Sequence, residues 1–568
     1  MQGPIDSDGP LIMSSARPNG VTASIVLAIL LTAPSCRSGH PVSRTNSFAL
    51  ASTPESVPRF GFFEMAWRAE HPFPNPFIDV VVDAEFTAPD GARIAVPGFY
   101  YGSGRWMIRF RPYAAGRWEY SWELQADGVR TQGRGQLDCT SRDDGKGRVR
   151  PNPANSMRWV FDNGDPYFPI GLQEGITLQS PWLGIDGEGR NGPRRDVSVE
   201  DYFKIYGDAG FNLFRFSQRN SGDPLFDDLD HYRERESIFT DHLLDTARRY
   251  GMRVFFGFFG TYDLWAPTRY ERWIRRMLTL GLRRPREAIN RPEDSATIEK
   301  EERFVRYCIA RWGAYADFWE LLNERLAADQ WTSRMAAYVH AVDPDHKPVS
   351  TSWEKPALRE IDINAPHWYE SERALDSDLR VRQVAAEWKR FGKPVVVGEQ
   401  GNSGMNWDPG SALRMRIRAW TALFQEISLV FWNTSWSKAG MNYGRYVPGD
   451  SNIYLGPEER SYIRTLGDFA ARLDPDVRIG EISVAGGDVR GYALKSPRLT
   501  AAYLHHYGDH STVLRAVKVT LASPESRRLV AEWIDPATGA VVSRAPVRQG
   551  EPTLDVPPFR VDIALLVM

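Results

Sequence analysis

Phe318-Trp319-Glu320-Leu321-Leu322-Asn323-Glu324 reads as a short buried strand that stops on an amide and a carboxylate. From Tyr315 to Leu322 the run is apolar and aromatic except at Asp317 and Glu320, and a helical pattern over 301–312 precedes it. Such a run suits a strand covered on both faces, as in a parallel sheet. A carboxylic acid at the C-terminal tip of that strand is where an α/β barrel places chemistry. An Asn-Glu pair arises about once by chance in a chain this long, so a second carboxylate in a matching setting is required.

Lys393-Pro394-Val395-Val396-Val397-Gly398-Glu399 meets the requirement, an apolar strand ending on a carboxylate 75 positions after Glu324. Around these two stretches strands alternate with helices. Candidate strands lie at 167–172, 212–216, 253–259, 318–322, 349–352, 361–369, 395–398 and 429–432. Helical patterns lie at 199–210, 238–250, 298–312, 330–341, 381–391, 412–425 and 458–473. Eight strands with intervening helices predict a (β/α)8 barrel, a TIM barrel, over 144–475. Glu324 and Glu399 then end its fourth and seventh strands. Two carboxylates across one barrel mouth can flank a glycosidic bond, and a retaining hydrolase needs them about 5–5.5 Å apart.

The flanks read differently. Residues 58–143 alternate with period two, as in Arg105-Trp106-Met107-Ile108-Arg109-Phe110, with turns at Pro89-Asp90-Gly91 and Ala115-Gly116. That pattern predicts a β-sandwich. Residues 476–568 are strand-like again, with a turn at Pro536-Ala537-Thr538-Gly539, and predict a second one. The fold class is thus multidomain, a central barrel flanked by two β-sandwich domains. Ahead of these, Val21 to Ala33 is a mostly apolar run preceded by Arg17, too short to span a bilayer comfortably and suited to a signal peptide over 1–36. Residues 37–57, rich in Ser, Pro and Thr, read as a flexible tether.

Composition narrows the chemistry. The 568 residues carry a net charge of −2, which gives no electrostatic case for nucleic acid or an anionic membrane. The chain is 12% aromatic with 19 Trp, side chains that stack on apolar faces and hydrogen-bond at an edge, as sugar rings require. Aromatic β-domain cores are the plainer source of the same figure. Cys36, Cys139 and Cys308 make neither a disulfide framework nor a metal site, and no HExxH, CxxC, phosphate loop or GxSxG elbow occurs. No metal and no cofactor are expected.

These motifs carry resemblances. Residues 144–475 resemble glycoside hydrolase clan A, nearest the cellulase and β-mannanase type. The resemblance implies Glu324 as acid/base after Asn323, Glu399 as nucleophile, and Arg215 of Asn212-Leu213-Phe214-Arg215 beside the nucleophile. It further implies His367 and Tyr369 of His367-Trp368-Tyr369 near the catalytic centre, and Trp432 as the floor of the sugar site. The cellulase type has a His near the end of the third strand, and 254–262 contains none, which puts the exact substrate in doubt. Phe63-Glu64-Met65, Asn75-Pro76-Phe77 and Phe86-Thr87-Ala88-Pro89-Asp90-Gly91 resemble the immunoglobulin-like domain that precedes many bacterial glycoside hydrolase barrels. Trp533-Ile534-Asp535-Pro536 and Gly539 resemble the β-domain of apiosidase-like proteins. Leu31-Thr32-Ala33-Pro34-Ser35-Cys36 resembles a bacterial lipoprotein processing site with Cys36 lipidated, although Pro34 sits inside the box.

Physical roles agree with the implied ones. Strand side chains alternate, so His367 and Tyr369 share a face. Tyr369 can donate to Glu399 and Arg215 can add positive charge, both favouring an ionised nucleophile. Asn323 can bind the sugar 2-hydroxyl. Glu320 reads as a solvated or helix-facing residue. Loops 173–198 and 259–295 are long for βα connections and so read as functional. They add sugar-contact candidates Gln173, Glu174, Trp182, Tyr262, Asp263 and Trp265, and the eighth loop adds Asn433, Trp436 and Tyr443. Each has a plain alternative: Arg215 as a structural ion-pair member, His367 as a satisfied buried histidine, Trp432 as core. What outweighs these is joint order, five elements carrying the expected types in the expected sequence.

The reading is a retaining β-glycosidase acting on a poly- or oligosaccharide, exported to the periplasm or cell surface. A non-catalytic carbohydrate-binding lipoprotein would be favoured by a replaced carboxylate, and a transglycosylase would share every catalytic residue. Export has a direct test: the mature protein should begin near Cys36 and partition into detergent when lipidated. An N-terminus still at residue 1 or 13 in a native host refutes it.

Overall fold

Eight strands form one curled parallel sheet: β1 (Ile170–Gln173), β2 (Leu213–Ser217), β3 (Arg253–Phe259), β4 (Ala316–Leu322), β5 (Val349–Ser350), β6 (His367–Tyr369), β7 (Val395–Gly401) and β8 (Ile427–Trp432). Their order across the sheet is β5-β4-β3-β2-β1-β8-β7-β6. Backbone bonds run into 362–366 from β5 and from the residue before β7: Ile363 N donates to Val349 O at 3.2 Å, and Asn364 N to Pro394 O at 3.0 Å. Each expected strand is found, the first, fifth and sixth shorter than expected. The computed structural model describes residues 47–178, 183–186, 194–219, 221–260, 264–265, 289–290, 293–402, 410–433, 453–521, 529–547 and 553–568, with backbone alone at 183–186, 194–196, 264–265 and 289–290.

Helices cover the outer face: α1 (Val199–Asp208), α2 (Glu234–Arg249), α3 (Ser295–Trp312), α4 (Asp329–Val342), α5 (Ser377–Lys389), α6 (Ser411–Gln425) and α7 (Pro457–Ala470). β4 shows why its sequence is nearly all apolar, since all seven residues are buried. Trp319 faces outward, stacks on Phe258 at 4.9 Å and donates its indole N–H to Asp343 at 2.8 Å. Phe318 faces inward into a layer with Leu213, Phe255, Val396 and Val430. That layer is capped from below by Trp159, Phe161 and Tyr167 of a hairpin that precedes β1, Trp159 lying edge-on to Phe318 at 4.8 Å.

On the N-terminal side a four-stranded and a five-stranded sheet share one core. Val80–Thr87 alternates buried and less buried along its length, as the period-two pattern predicts. Phe86 packs on Phe110 of the other sheet with centroids 4.4 Å apart. The expected tether is partly wrong. Phe48–Ser52 and Ser56–Arg59 are strands, because Phe48 is held between Phe73 and Trp106 at 5.8 and 5.5 Å. Arg311 of α3 joins these sheets to the helices, donating to Asp241 at 2.7 Å and to Tyr100 O at 3.2 Å.

At the C-terminal end a six-stranded and a three-stranded sheet enclose a third core. Thr500–His506 is buried along its whole length, Ala502 and Leu504 toward that core and Tyr503 against Trp420 of α6 at 5.7 Å. Buried ion pairs close the contact, Arg416 to Asp562 at 2.9 Å and Arg490 to Asp378 at 2.7 Å.

Candidate active site

Alternation along β2 turns Leu213, Arg215 and Ser217 to the sheet's interior. Arg215 therefore sits one layer above the apolar floor, fully buried. A lone buried cation is costly, and this one is surrounded by acceptors. Its Nη1 donates to Glu399 Oε1 at 2.7 Å and to Gln173 Oε1. Its Nη2 donates to Glu320 Oε2 and to Asn323 Oδ1, both at 2.6 Å. Gln173 in turn donates to Glu399 Oε1 at 3.3 Å. Room for the pair comes from Gly257 on β3, where a Cβ would stand 3.2 Å from both Glu320 Oε2 and Ser217 Oγ.

Glu320 thus differs from its sequence reading. It is wholly buried and faces the interior, because Arg215 neutralises it and Ser352 donates its hydroxyl to Oε1 at 3.0 Å. Ser352, absent from the expected set, also reaches His367 Nε2 at 3.1 Å. Its one proton is committed to Glu320 (Ala365 O, at 3.4 Å, is the alternative acceptor), so its oxygen accepts from the imidazole. That places a proton on Nε2 and turns Nδ1 toward Glu324 Oε1 at 2.8 Å. One proton bridges Nδ1 and Glu324, donated by whichever partner carries it. A continuous chain then links the two carboxylates from behind: Glu324, His367, Ser352, Glu320, Arg215, Glu399.

Glu324 is set by backbone as well. β4 ends by turning at this residue, whose φ of 47° lies in the left-handed region that costs a non-glycine residue about 1–3 kcal/mol. Neighbouring strands hold the turn: Asn323 N donates to Phe259 O at 2.9 Å and Arg325 N to Ser352 O at 3.1 Å. The side chain is partly exposed, whereas Glu399 is buried. In register, Glu399 lies opposite His367 of β6, and Tyr369 donates its hydroxyl to Glu399 Oε2. Ligating atoms of Glu324, His367 and Glu399 all lie within 4.8 Å of one another. These three could surround a cation. As built, however, His367 and Glu324 are at hydrogen-bond distance, closer than the roughly 3.3 Å that separates two ligands of one tetrahedral zinc.

The electrostatics follow from these contacts. Burial pushes the Glu399 carboxyl up, but His367, Arg215 and the Tyr369 hydroxyl outweigh it and hold it below the ordinary glutamate value. Burial pulls the His367 imidazole down, and Glu399 and Glu324 more than restore it. Burial, then Glu399, push the Tyr369 phenol well up, so it stays a donor.

Of the expected site residues, Glu324, Glu399, Arg215, Asn323, His367 and Tyr369 come together at the C-terminal ends of the strands. Trp432 ends β8, partly exposed and paired with Gln173 of β1. Glu174, an expected sugar contact, follows the end of β1 directly. It is only 2% exposed and accepts from the Tyr202 hydroxyl of α1 at 3.2 Å. Asn433 likewise turns to α1, donating to Tyr202 and Tyr206 at 3.1 Å each. Cys36, Trp182, Tyr262, Asp263, Trp436 and Tyr443 lie outside the described residues, as does the side chain of Trp265.

Comparison with known proteins agrees at the level of fold. A solved structure of a candidate glycoside hydrolase from Bacteroides vulgatus overlays with a TM-score of 0.61 at 16% identity, covering 91% of this chain and 100% of that one. An endo-β-1,4-mannanase from Thermotoga petrophila overlays with a TM-score of 0.36 at 11% identity, covering 70% and 98%. A GH5 xyloglucanase from Bacteroides ovatus gives 0.33 at 10% identity, covering 75% and 100%, and these two looser overlays carry no further weight. Residues 56–125 match the family model described as a domain of unknown function, DUF5060. No curated protein matches the chain. The fold is glycoside-hydrolase-like.

Arg215→Met should leave Glu320 and Glu399 buried without the guanidinium they share and cost about 3–5 kcal/mol in urea unfolding followed by tryptophan fluorescence. Adding Glu320→Gln should recover about 1 kcal/mol or more. Strict additivity within roughly 0.5 kcal/mol would show that the two do not act as a pair.

Proposed function

We propose that this protein is a retaining glycoside hydrolase of the clan A type, cleaving β-glycosidic bonds of a poly- or oligosaccharide through a covalent glycosyl-enzyme. In this reading the curled sheet is a (β/α)8 barrel, the flanking sheets are β-sandwich domains, and the chain is exported and anchored through Cys36. The observation that carries the activity is the pair Glu324 and Glu399. One oxygen of each lies within 4.8 Å of the other at the strand tips, close enough for the two carboxylates to flank a single glycosidic bond as retaining enzymes require.

The two carboxylates have unequal surroundings, and roles follow. Glu399 is fixed by Arg215 through Oε1 and by Tyr369 through Oε2, which favours the ionised nucleophile. Glu324 is more exposed and shares a proton with His367, the setting of a group that gives a proton to a leaving oxygen and later takes one from water. As the nucleophile's charge is consumed, Arg215 keeps Glu320 as a counter-ion, so the site does not strand an unpaired buried cation.

Azide rescue separates these roles on any active aryl glycoside. Glu399→Ala should lose turnover, and added azide should restore it with an inverted product. Glu324→Ala should still glycosylate with a nitrophenol leaving group and accumulate an adduct on Glu399, with azide releasing a retained product. The opposite stereochemistry in the two variants would reverse the assignment, and wild-type activity in both would end it.

Acid tolerance gives a second check. A folded-state carboxyl held below its ordinary value of about 4.3 stays ionised as pH falls through that value. The acid limb of kcat/KM, which reports the free enzyme's base, should therefore lie below about 4.3. Tyr369→Phe removes a hydrogen bond to the ionised form, so its limb should move to higher pH. A limb unmoved in that variant would show that Tyr369 does not hold Glu399 in the free enzyme.

A further inference from the structure

Ser352 lies two residues past β5, where the chain is pinned to the turn that carries Glu324. Its N–H donates to Leu322 O at 2.8 Å and its carbonyl accepts from Arg325 N at 3.1 Å, so its backbone brackets Asn323 and Glu324. The residue is 1% exposed, and its hydroxyl stands 3.0 Å from Glu320 Oε1 and 3.1 Å from His367 Nε2. Gly398 of β7 leaves room for the imidazole, since a Cβ there would stand 3.1 Å from the same Nε2.

Charged groups face His367 from four neighbouring strands or their ends. Glu324 after β4 and Glu399 of β7 approach Nδ1, at 2.8 and 3.4 Å. Arg215 of β2 repels a protonated ring, and Glu354 after β5 adds a further negative charge near it. Glu320 of β4 is reached through Ser352. Within this setting an imidazole with one proton has two tautomers. With the proton on Nδ1 it donates to an ionised Glu324, and a carboxylate satisfied in that way has little affinity for a proton of its own. With the proton on Nε2, a bare Nδ1 faces Glu324 lone pair against lone pair, and their contact is favourable only when a second proton lies between them. The Ser352 hydroxyl decides between the two. Its proton goes to the ionised Glu320, the stronger acceptor, so its oxygen accepts from Nε2.

We propose that Ser352 is a positioning residue: it holds the His367 proton on Nε2 and so reserves a second proton for Glu324, the acid of the hydrolase reading on which this inference rests. The serine acts from behind the imidazole, through the tautomer alone.

Two measurements test this, one of them independent of activity. Neutron diffraction from deuterium-exchanged crystals of the full chain should show a deuteron on His367 Nε2 directed at Ser352 Oγ, and the Ser352 deuteron pointing away from it toward Glu320. A bare Nε2, or a Ser352 deuteron directed at it, overturns the proposal whatever the protein hydrolyses. The second measurement compares leaving groups in any glycoside series that wild type cleaves. Ser352→Ala removes the acceptor and lets the proton move to Nδ1. Its kcat/KM on alkyl glycosides, which need a protonated Glu324, should fall about five- to tenfold further than on nitrophenyl glycosides, which do not. Ser352→Thr keeps the hydroxyl and should return that ratio toward wild type. A merely structural Ser352 would lower both series by one factor, and that equality, or a Ser352→Thr ratio as large as that of Ser352→Ala, overturns the proposal. Should Ser352→Ala not fold, the deuteron positions in wild type decide. A wild type that cleaves no glycoside ends the hydrolase reading instead, and the same deuteron positions still accept or reject the tautomer.

Discussion

One guanidinium organises the polar interior. Arg215 bonds to residues from β1, β4 and β7 and to the amide that follows β4, so its position fixes the relative height of four functional groups. In a low-dielectric interior such contacts are strong only where every partner is already in place, since the ions have left water behind. The local sequence shows the consequences: Gly257 where any side chain would crowd Glu320, and Ser352 small enough to stand between Glu320 and His367. The apolar layer of Leu213, Phe255, Phe318, Val396 and Val430 directly below keeps water from competing for the same donors.

Much of this was legible in the chain and some was not, for reasons that differ. The eight strands could be read because parallel strands buried on both faces are written as apolar runs, which Phe318–Leu322 and Val395–Val397 display without interruption from turn residues. Glu324 and Glu399 could be read because each ends such a run. Glu320 was misread although alternation places it on the same face as Phe318 and Leu322. A charge inside a barrel is improbable until its partner is known, and Arg215 stands 105 positions earlier. The partners of Glu174 and Asn433 were illegible for a similar reason: a polar residue just past a strand can point to the mouth or back to the helix, and here the hydroxyls of Tyr202 and Tyr206 stand within hydrogen-bond distance. The strand at Phe48–Ser52 was hidden in a Ser, Thr and Pro-rich stretch, its placement resting on one aromatic ring.

The two ends of the sheet illustrate how one scaffold treats buried charge in two ways. At the C-terminal end the buried charges of the described site are paired: Arg215 and the imidazole of His367 face Glu320, Glu399 and the partly exposed Glu324. Arg215 Nε has no hydrogen-bond partner there, so what is matched at this end is charge and not every donor. At the N-terminal end the accounting leaves a surplus of positive charge with Arg158 Nη1 unpartnered. The hairpin residues Trp159, Phe161 and Tyr167, packed under the apolar layer of the sheet, stand between the two sets of charges.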